Sequence, residues 1–142
     1  SVNGVYASVG PDRPHTAYSA AKFAVKGFTE ALLEDFKVNA PHLSAHVVMP
    51  GHIGTKIVAN TMRHSLHEPD AEVAELLIAT AEMFETQAPM TAEEAARVII
   101  TAVTNGEWRI LVGDDAIALD GSVRANPEGA YRAEFFTLLG DQ

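Results

Sequence analysis

The sequence contains no cysteine, and this absence excludes several kinds of protein. Without a thiol there is no disulfide framework, no cysteine nucleophile and no zinc–thiolate cluster, so stability has to come from a packed core. No stretch approaches the roughly 18 consecutive apolar residues that a membrane-spanning helix needs. Because the first ten residues also lack the basic start and apolar run of a signal peptide, we expect a cytoplasmic protein.

Positive charge is scarce as well: 10 Lys and Arg stand against 19 Asp and Glu, which gives a net charge of -9. A nucleic-acid-binding surface needs clustered basic residues to contact phosphates, so this balance argues against a nucleic-acid partner. Most of the acidic residues follow position 64, and we interpret them as the solvated surface of the later helices. The remaining composition, 142 residues of which 47% are hydrophobic, suits one globular domain.

Hydrophobic periodicity predicts helices that alternate with short buried strands. Apolar residues at helical spacing indicate a long helix over 16–38. It should end before Pro41, because the residue preceding a proline is pushed out of the helical region. The apolar triplet VVM at 47–49 indicates a strand within 43–49 that is covered on both faces. Residues 52–68 have no clear period and are predicted to form a loop or a short helix.

The later sequence continues this alternation. It predicts a helix over 70–86, a helix opened by a capping box of Thr91 and Glu94, and a strand over 108–112. Shorter helices are expected around 115–119 and over 127–139. The expected buried stripe of the 70–86 helix consists of Val73, Leu76, Leu77, Thr80 and Phe84. Together these patterns predict one α/β domain with a parallel sheet, of which only two strands are clear.

Tyr18 and Lys22 form the first candidate for chemistry. They are four residues apart near the start of the long predicted helix, so their side chains project from one face about one turn apart. A tyrosine ionises near pH ~10, and a lysine cation held close favours the phenolate and lowers that pKa. The pair could therefore act as a general acid or base near neutral pH. A surface tyrosine beside a solvated lysine is the alternative, because this spacing is common.

The surrounding residues extend the pattern into a family resemblance. The segment YSAAKFAVKGFTEAL at 18–32 is followed, one predicted strand later, by PGHIGT at 50–55. In these motifs the sequence resembles the classical short-chain dehydrogenase/reductase (SDR) family, closely up to residue 55 and more loosely beyond. The resemblance implies that Tyr18 exchanges a proton with the substrate oxygen. It also implies that Lys22 lowers the tyrosine pKa and holds the nicotinamide ribose.

The resemblance carries expectations about the fold and the reaction. It implies a Rossmann-like, doubly wound parallel sheet of which this chain is the C-terminal half, with the N-terminal dinucleotide-binding units missing, since no G-x-G-x-x-G pattern is present. Residues 1–55 would be the catalytic segment, and 56–142 the substrate lid and C-terminal helices. The full-length parent would be a homo-oligomer that transfers hydride between NAD or NADP and a small alcohol or carbonyl substrate. The sequence identifies neither that substrate nor which of the two cofactors is used.

The same resemblance assigns the turn after the first strand to the cofactor. Pro50, Gly51, Ile53 and Thr55 match the family's positions beside the nicotinamide. Independently of any family, a glycine permits close backbone approach, and ligands bind outside the carboxyl ends of strands in open α/β sheets. A Pro-Gly turn that merely ends a strand is the alternative.

The family also uses a serine that hydrogen-bonds the substrate oxygen, usually thirteen residues before the tyrosine in a Ser-Ser-x-x-Gly pattern. Val5 occupies that position here and cannot serve. The motif SVNG at 1–4 fits the end of the pattern, so the role falls on Ser1, with four extra residues before Tyr18. Ser8 is the competitor, ten residues before Tyr18, although the glycine that follows it does not have the spacing of the family pattern. The family's catalytic asparagine has no counterpart in this sequence.

Histidine pairs and rival functions complete the sequence reading. His42 with His46, and His64 with His67, lack a convincing third ligand, so no metal site is predicted. An epimerase or dehydratase of the extended SDR branch would share the Tyr-x-x-x-Lys pattern. A non-catalytic α/β interaction or oligomerisation module would instead use the small residues of the long helix to pack against a partner. NAD(P)-dependent turnover would distinguish an enzyme from such a module.

Overall fold

A computed structural model describes residues 1–8, 15–64, 70–132 and 135 of the chain. Its helices and strands alternate along the sequence. After a 3₁₀ helix at Val2–Gly4 come α1 (Thr16–Asn39), β1 (Val47–Pro50), β2 (Ile53–Gly54), α2 (Ile57–Arg63), α3 (Ala71–Thr86), β3 (Met90–Thr91), α4 (Ala92–Thr104), β4 (Arg109–Val112) and α5 (Asp114–Ala125). None of the helices in these described ranges is long and apolar enough to cross a membrane.

The four described strands form two parallel pairs. β1 pairs with β4, with Val47 opposite Arg109 and Pro50 opposite Val112, and β2 pairs with β3 in the same sense. This confirms the predicted α/β class with parallel pairing. Two strands were missed by the sequence analysis because β2 and β3 have two residues each, too few to show a period. The two small sheets do not by themselves establish a Rossmann-like sheet.

Helix α1 begins and ends where the sequence predicts. It runs over Thr16–Asn39, and the backbone N–H of Ala40 donates to the carbonyl of Phe36 to close its last turn. Pro41 follows directly. Among the helix's residues only Ser19 is buried, so the predicted amphipathic face is largely uncovered in the described chain.

The predicted buried stripe of α3 is partly wrong. Val73 and Leu76 are exposed, whereas Ala81 is buried and Leu77 and Phe84 are half-buried. α3 packs against β2 and α2, and the side that it buries carries Ala74, Leu77, Ala81 and Phe84. The helix still begins as expected, because the Asp70 side chain accepts a hydrogen bond from the Val73 backbone N–H.

The capping box of α4 is confirmed. The Thr91 hydroxyl accepts from the Glu94 backbone N–H at 3.2 Å, and the Glu94 carboxylate accepts from the Thr91 backbone N–H at 2.9 Å. The Thr91 backbone N–H and the Thr91 hydroxyl both donate to the Glu94 carboxylate, and these two hydrogen bonds lower the pKa of Glu94. The helix then presents Ala95 and Ala102 to the core. Gly106, with φ 77°, follows its end in the left-handed conformation that glycine tolerates best.

Two hydrophobic clusters hold the elements together. The first consists of Ile53, Ala95, Ala102, Ile110 and Val112, and joins the two strand pairs to α4. The second consists of Tyr6, Ala130 and Phe135, with Leu119 and Val123 of α5 packed against it. The Tyr6 ring stacks on that of Tyr131, with centroids 4.8 Å apart.

The last helices differ from the prediction. α5 extends over Asp114–Ala125, well beyond the expected 115–119. The helix expected from 127 does not begin there, because the Asn126 carbonyl and side chain both accept from the Gly129 backbone N–H and form a turn. Most of its predicted remainder, 133–139, lies outside the described residues.

Candidate active site

Tyr18 and Lys22 lie side by side in the first turns of α1. The Lys22 Nζ is 5.1 Å from the centroid of the Tyr18 ring, and the Tyr18 side chain is 42% exposed. The His15 ring meets the same tyrosine edge-on at 6.0 Å. A cation held over an aromatic ring is attracted by its π electrons, so this geometry keeps a positive charge beside an accessible phenol. A general acid or base needs this combination of access and a charge partner.

Ser1 is connected to α1 through Asn3. The Ser1 hydroxyl donates to Asn3 Oδ1 at 3.1 Å, and Asn3 Nδ2 donates to the Ser19 hydroxyl at 3.4 Å. Asn3 and Ser19 are both buried, and Ser19 directly follows Tyr18. A Cβ at Gly4 would lie 3.2 Å from the Lys22 carbonyl oxygen, so the 3₁₀ helix packs closely on that turn of α1. Sequence reasoning missed Asn3 and Ser19, because contacts sixteen residues apart leave no periodic signal.

Ser8, the competitor of Ser1, faces a different part of the molecule. Its side chain hydrogen-bonds Tyr6, in the second hydrophobic cluster. Burial raises the pKa of Tyr6, and nearby Tyr131 raises it further, whereas the bond from Ser8 works in the opposite direction. Of the two serines, therefore, the described contacts bring Ser1 towards the Tyr18 and Lys22 turn. The four extra residues inferred before Tyr18 fall mainly on 9–14, outside the described residues.

The 3₁₀ helix, α1 and β1 contact one another. α1 leads into β1 through residues 40–46. Because the 3₁₀ helix packs on the Lys22 turn of α1, the segment that carries Ser1 lies beside both the helix of Tyr18 and the strand that ends at Pro50.

The turn after β1 is held by several elements. The Gly51 N–H donates to the Val112 carbonyl at 2.9 Å, which continues the β1–β4 ladder by one bond. The His52 backbone N–H donates to the Asp115 carboxylate at 2.6 Å, and His52 Nε2 lies 2.9 Å from the Phe84 carbonyl oxygen. Its ring also packs on that of Phe84, with centroids 4.2 Å apart. The turn is thereby tied to α5 on one side and to α3 on the other.

The remaining sequence-predicted cofactor residues lie in two environments. Ile53 is buried in the first hydrophobic cluster, so only its backbone is placed to meet a ligand. Thr55 is half-buried and faces an open groove of about 640 Å³. The groove is lined by Thr55, Lys56, Ile57, Asn60, Thr61 and His64. Half of this lining comes from α2, through Ile57, Asn60 and Thr61, and α2 in turn contacts α3.

The histidines that were weighed as metal ligands lie in different surroundings. His46 uses both ring nitrogens, Nδ1 towards the Glu107 carbonyl at 2.6 Å and Nε2 towards the Ser44 hydroxyl at 2.8 Å. His42 is exposed, His64 borders the groove, and His67 lies outside the described residues. Across the described part of the chain, no group of three His, Asp or Glu side chains is arranged to hold a metal ion.

Comparison with known proteins gives a limited set of relatives. No family model matches the chain, and no solved structure matches it significantly. It is similar to proteins named "Putative oxidoreductase SadH" from two strains of Mycobacterium tuberculosis, each 36% identical over 106 residues. The alignment covers 74% of this chain and 36% of each relative, so the chain spans about a third of the length of the curated relatives it matches. Over that shared segment, the chain is similar to proteins named as oxidoreductases.

Proposed function

We propose that this chain is the catalytic segment of an SDR-type oxidoreductase that transfers hydride between NAD or NADP and an alcohol or carbonyl substrate. The observation that carries the proposal is the exposed Tyr18 phenol with the Lys22 ammonium 5.1 Å from its ring. α1 also contacts β1, the strand that ends at Pro50. The similarity to the SadH proteins supports oxidoreductase chemistry in general.

Each candidate side chain has a definite task in this mechanism. During carbonyl reduction Tyr18 Oη gives its proton to the substrate oxygen, and during alcohol oxidation it takes that proton back. The Lys22 ammonium stabilises the phenolate that forms in between. The Ser1 hydroxyl donates a hydrogen bond to the same oxygen, where negative charge develops. A nicotinamide cofactor, when bound, would supply the hydride for carbonyl reduction or take it up in alcohol oxidation.

The described residues suit the nicotinamide end of such a cofactor. Hydroxyl and ammonium donors on Tyr18, Lys22 and Thr55 match the ribose hydroxyls and the carboxamide oxygen. Gly51 has no side chain, and the Asp115 carboxylate fills the space that a Cβ would take there, so a ligand at this turn would meet its backbone. The sequence has no glycine-rich phosphate turn, so the pyrophosphate would be held by chain beyond these residues. NAD and NADP share the same nicotinamide end, so the proposal includes both cofactors.

α1 supplies the reason to propose a homo-oligomer for the full-length protein. Its Val25 and Phe28 side chains are 57% and 67% exposed, and apolar surface of this kind favours association. Light scattering of the full-length protein tests this part of the proposal. A monomer at micromolar concentration would contradict it.

Replacement of Tyr18 by phenylalanine is the main test of the proposed function. Tyr18→Phe removes one hydroxyl, so in the longer protein that carries this segment kcat should fall by roughly 10² to 10⁴ with the fold intact. Tyr131→Phe is the matched control, since it removes one hydroxyl from an exposed ring that stacks on Tyr6, and that hydroxyl accepts from the Ala7 backbone N–H. Circular dichroism checks folding, and kcat for Tyr18→Phe equal to that of the control would contradict the assignment.

The same assay separates the rival functions. A dehydrogenase or reductase changes the net absorbance of NAD(P)H at 340 nm as substrate is consumed. An epimerase or dehydratase of the extended branch consumes substrate without a net change in the cofactor. An interaction module neither binds NAD(P) nor turns over a substrate.

A further inference from the structure

Asp115 joins two segments that are far apart in the sequence. It lies in the first turn of α5, and its Oδ2 accepts the 2.6 Å hydrogen bond from the His52 backbone N–H across 63 positions. The bond connects the turn after β1 with the helix after β4. A carboxylate that accepts from a backbone N–H makes a charge-assisted bond, about twice as strong as a neutral one.

Two glycines make room for this carboxylate. A Cβ at Gly51 or at Gly113 would overlap the carboxylate oxygens of Asp115. Gly113 also has φ 101°, a backbone conformation that other residues rarely adopt. The two strand ends therefore close around the Asp115 side chain, and neither position accepts a larger residue without moving it.

Asp115 lies at the N-terminus of α5. The first N–H groups of a helix lack intrahelical partners, and their partial positive charge stabilises a carboxylate in the first turn. Gly113, the N-cap residue of α5, has no side chain to make a capping bond. Asp115 nevertheless directs Oδ2 to the turn after β1, so the carboxylate links the helix end to that turn.

His52 is held on its other side by α3. A carbonyl oxygen only accepts, so the 2.9 Å contact with the Phe84 carbonyl requires a proton on His52 Nε2. Phe84 lies in the last turn of α3, where carbonyls lack intrahelical partners. The backbone of His52 is therefore held by α5, and its side chain is held by α3.

We infer that Asp115 is a positioning residue that holds the backbone of the turn at Gly51 and His52 in the conformation that contacts the nicotinamide. This inference rests on the proposed function, because the cofactor role of the turn is itself proposed. Loss of the carboxylate leaves His52 anchored only through Phe84. The turn then samples other conformations, and the cofactor binds a smaller population of the competent one.

The decisive variant is Asp115→Ala, with Asp114→Ala as the matched control. Asp114 is the neighbouring exposed carboxylate in the same helical turn, so the control removes the same charge from the same helix end. In the full-length protein, Asp115→Ala should weaken NAD(P) binding about tenfold, measured by fluorescence titration. Its kcat at saturating cofactor should change less than its KM for the cofactor. Hydrogen exchange of the His52 amide should accelerate in Asp115→Ala and stay unchanged in Asp114→Ala.

A second measurement keeps the inference testable if Asp115→Ala folds poorly. Gly51→Ala should lower the melting temperature of the wild type, because the new Cβ overlaps the carboxylate. In a protein that already carries Asp115→Ala, Gly51→Ala should lower the melting temperature clearly less than it does in the wild type. A double-mutant cycle measures this coupling between the two positions. Additive effects of the two changes would overturn the inference.

The outcomes separate this inference from the proposed function. Wild-type protein that binds neither NAD nor NADP overturns both. Wild-type protein that binds cofactor, with equal affinity in Asp115→Ala, overturns the positioning role alone. Weaker binding together with faster exchange at His52, both absent from Asp114→Ala, supports it.

Discussion

α1 and the segment formed by α4, β4 and α5 bury their side chains very differently. α1 is the longest described helix, with 24 residues, yet only Ser19 of these is buried. The segment from α4 to α5 contributes Ala95, Ala102, Ile110, Val112, Ala116 and Asp120 to the interior. It also contributes most of the first hydrophobic cluster.

This difference in burial indicates that the segment from α4 to α5 stabilises the fold, whereas α1 presents side chains for contact with a ligand or partner. Hydrogen bonds within α1 and surface pairs such as Lys26 with Glu30, 2.8 Å apart, hold the helix with small individual contributions. Its side chains are therefore free to meet a ligand or another subunit. The buried residues of the segment from α4 to α5 pack against one another, and this packing stabilises the fold in proportion to the apolar area removed from water. Substitutions in the two regions should accordingly affect different measurements.

The largest effect on stability is expected at Asp120, which is buried between two arginines. Its carboxylate accepts from Arg109 at 2.5 and 3.0 Å and from Arg124 at 3.0 Å. Asp120→Asn leaves the Arg109 charge without its partner and should reduce the free energy of unfolding by about 4 kcal/mol, measured in urea titrations. Asp35→Asn on α1, an exposed position, should change it by less than about 0.5 kcal/mol. Equal losses would remove the distinction between the two regions.

The Asp120 cluster also predicts a pH dependence. Burial alone would raise the pKa of Asp120, but the hydrogen bonds and charges of Arg109 and Arg124 outweigh it and lower the pKa below its ordinary value. The unfolded carboxyl binds its proton first as the pH falls, so the stabilisation is complete above about pH 4 and is lost through the lower folded pKa. The difference between wild type and Asp120→Asn should therefore shrink on acidification below pH ~4. A difference that stays constant down to pH ~2 would contradict this assignment.

A somewhat smaller effect is expected from a cavity in the first cluster. Ile110 is 2% exposed, and Ile110→Ala should destabilise the fold by about 3 kcal/mol through lost burial and an unfilled space. Val25→Ala on α1, where the side chain is 57% exposed, is the matched truncation and should be nearly neutral. The shift of the urea unfolding midpoint, at an unchanged denaturant slope, measures the loss of stability in both variants. A large loss at Val25 would mean that α1 is covered in solution.

The smallest effect tests the helix start. Thr91→Ala removes the hydroxyl that accepts from the Glu94 backbone N–H and should cost about 1 kcal/mol. Thr29→Ala in α1 removes a hydroxyl that bonds the Val25 carbonyl, four residues earlier, and should cost nothing because alanine favours the helix interior. Thermal unfolding resolves a difference of this size. Equal melting temperatures would show that the capping box contributes no more than an internal side-chain bond.

Features that depend on neighbours within one turn were predictable. The ends of α1, the capping box at Thr91 and the adjacency of Tyr18 and Lys22 follow from spacings of three or four residues. Such contacts form whenever the helix forms, wherever the helix is packed. The roles of Tyr18 and Lys22 rest on the family resemblance and await the proposed substitutions.

Features that depend on distant segments were not predictable from pattern. The pairing of β2 with β3, the side of α3 that is buried, and the link from Ser1 through Asn3 to Ser19 join residues with no periodic relation. The bond between His52 and Asp115 is the clearest case, since neither residue stands out in its own segment.

The amino-acid sequence alone determined the bounds of α1 and α3, the start of α4, the α/β class, and which helix face carries a phenol beside an ammonium group. Local hydrogen bonding and side-chain periodicity suffice for these, because their range is a single turn. Only the tertiary structure decided that the Asp115 carboxylate lies between Gly51 and Gly113, and which apolar residues of α1 remain exposed. Both depend on how strands and helices far apart in the chain pack together, and close packing permits one arrangement among many that the local pattern allows.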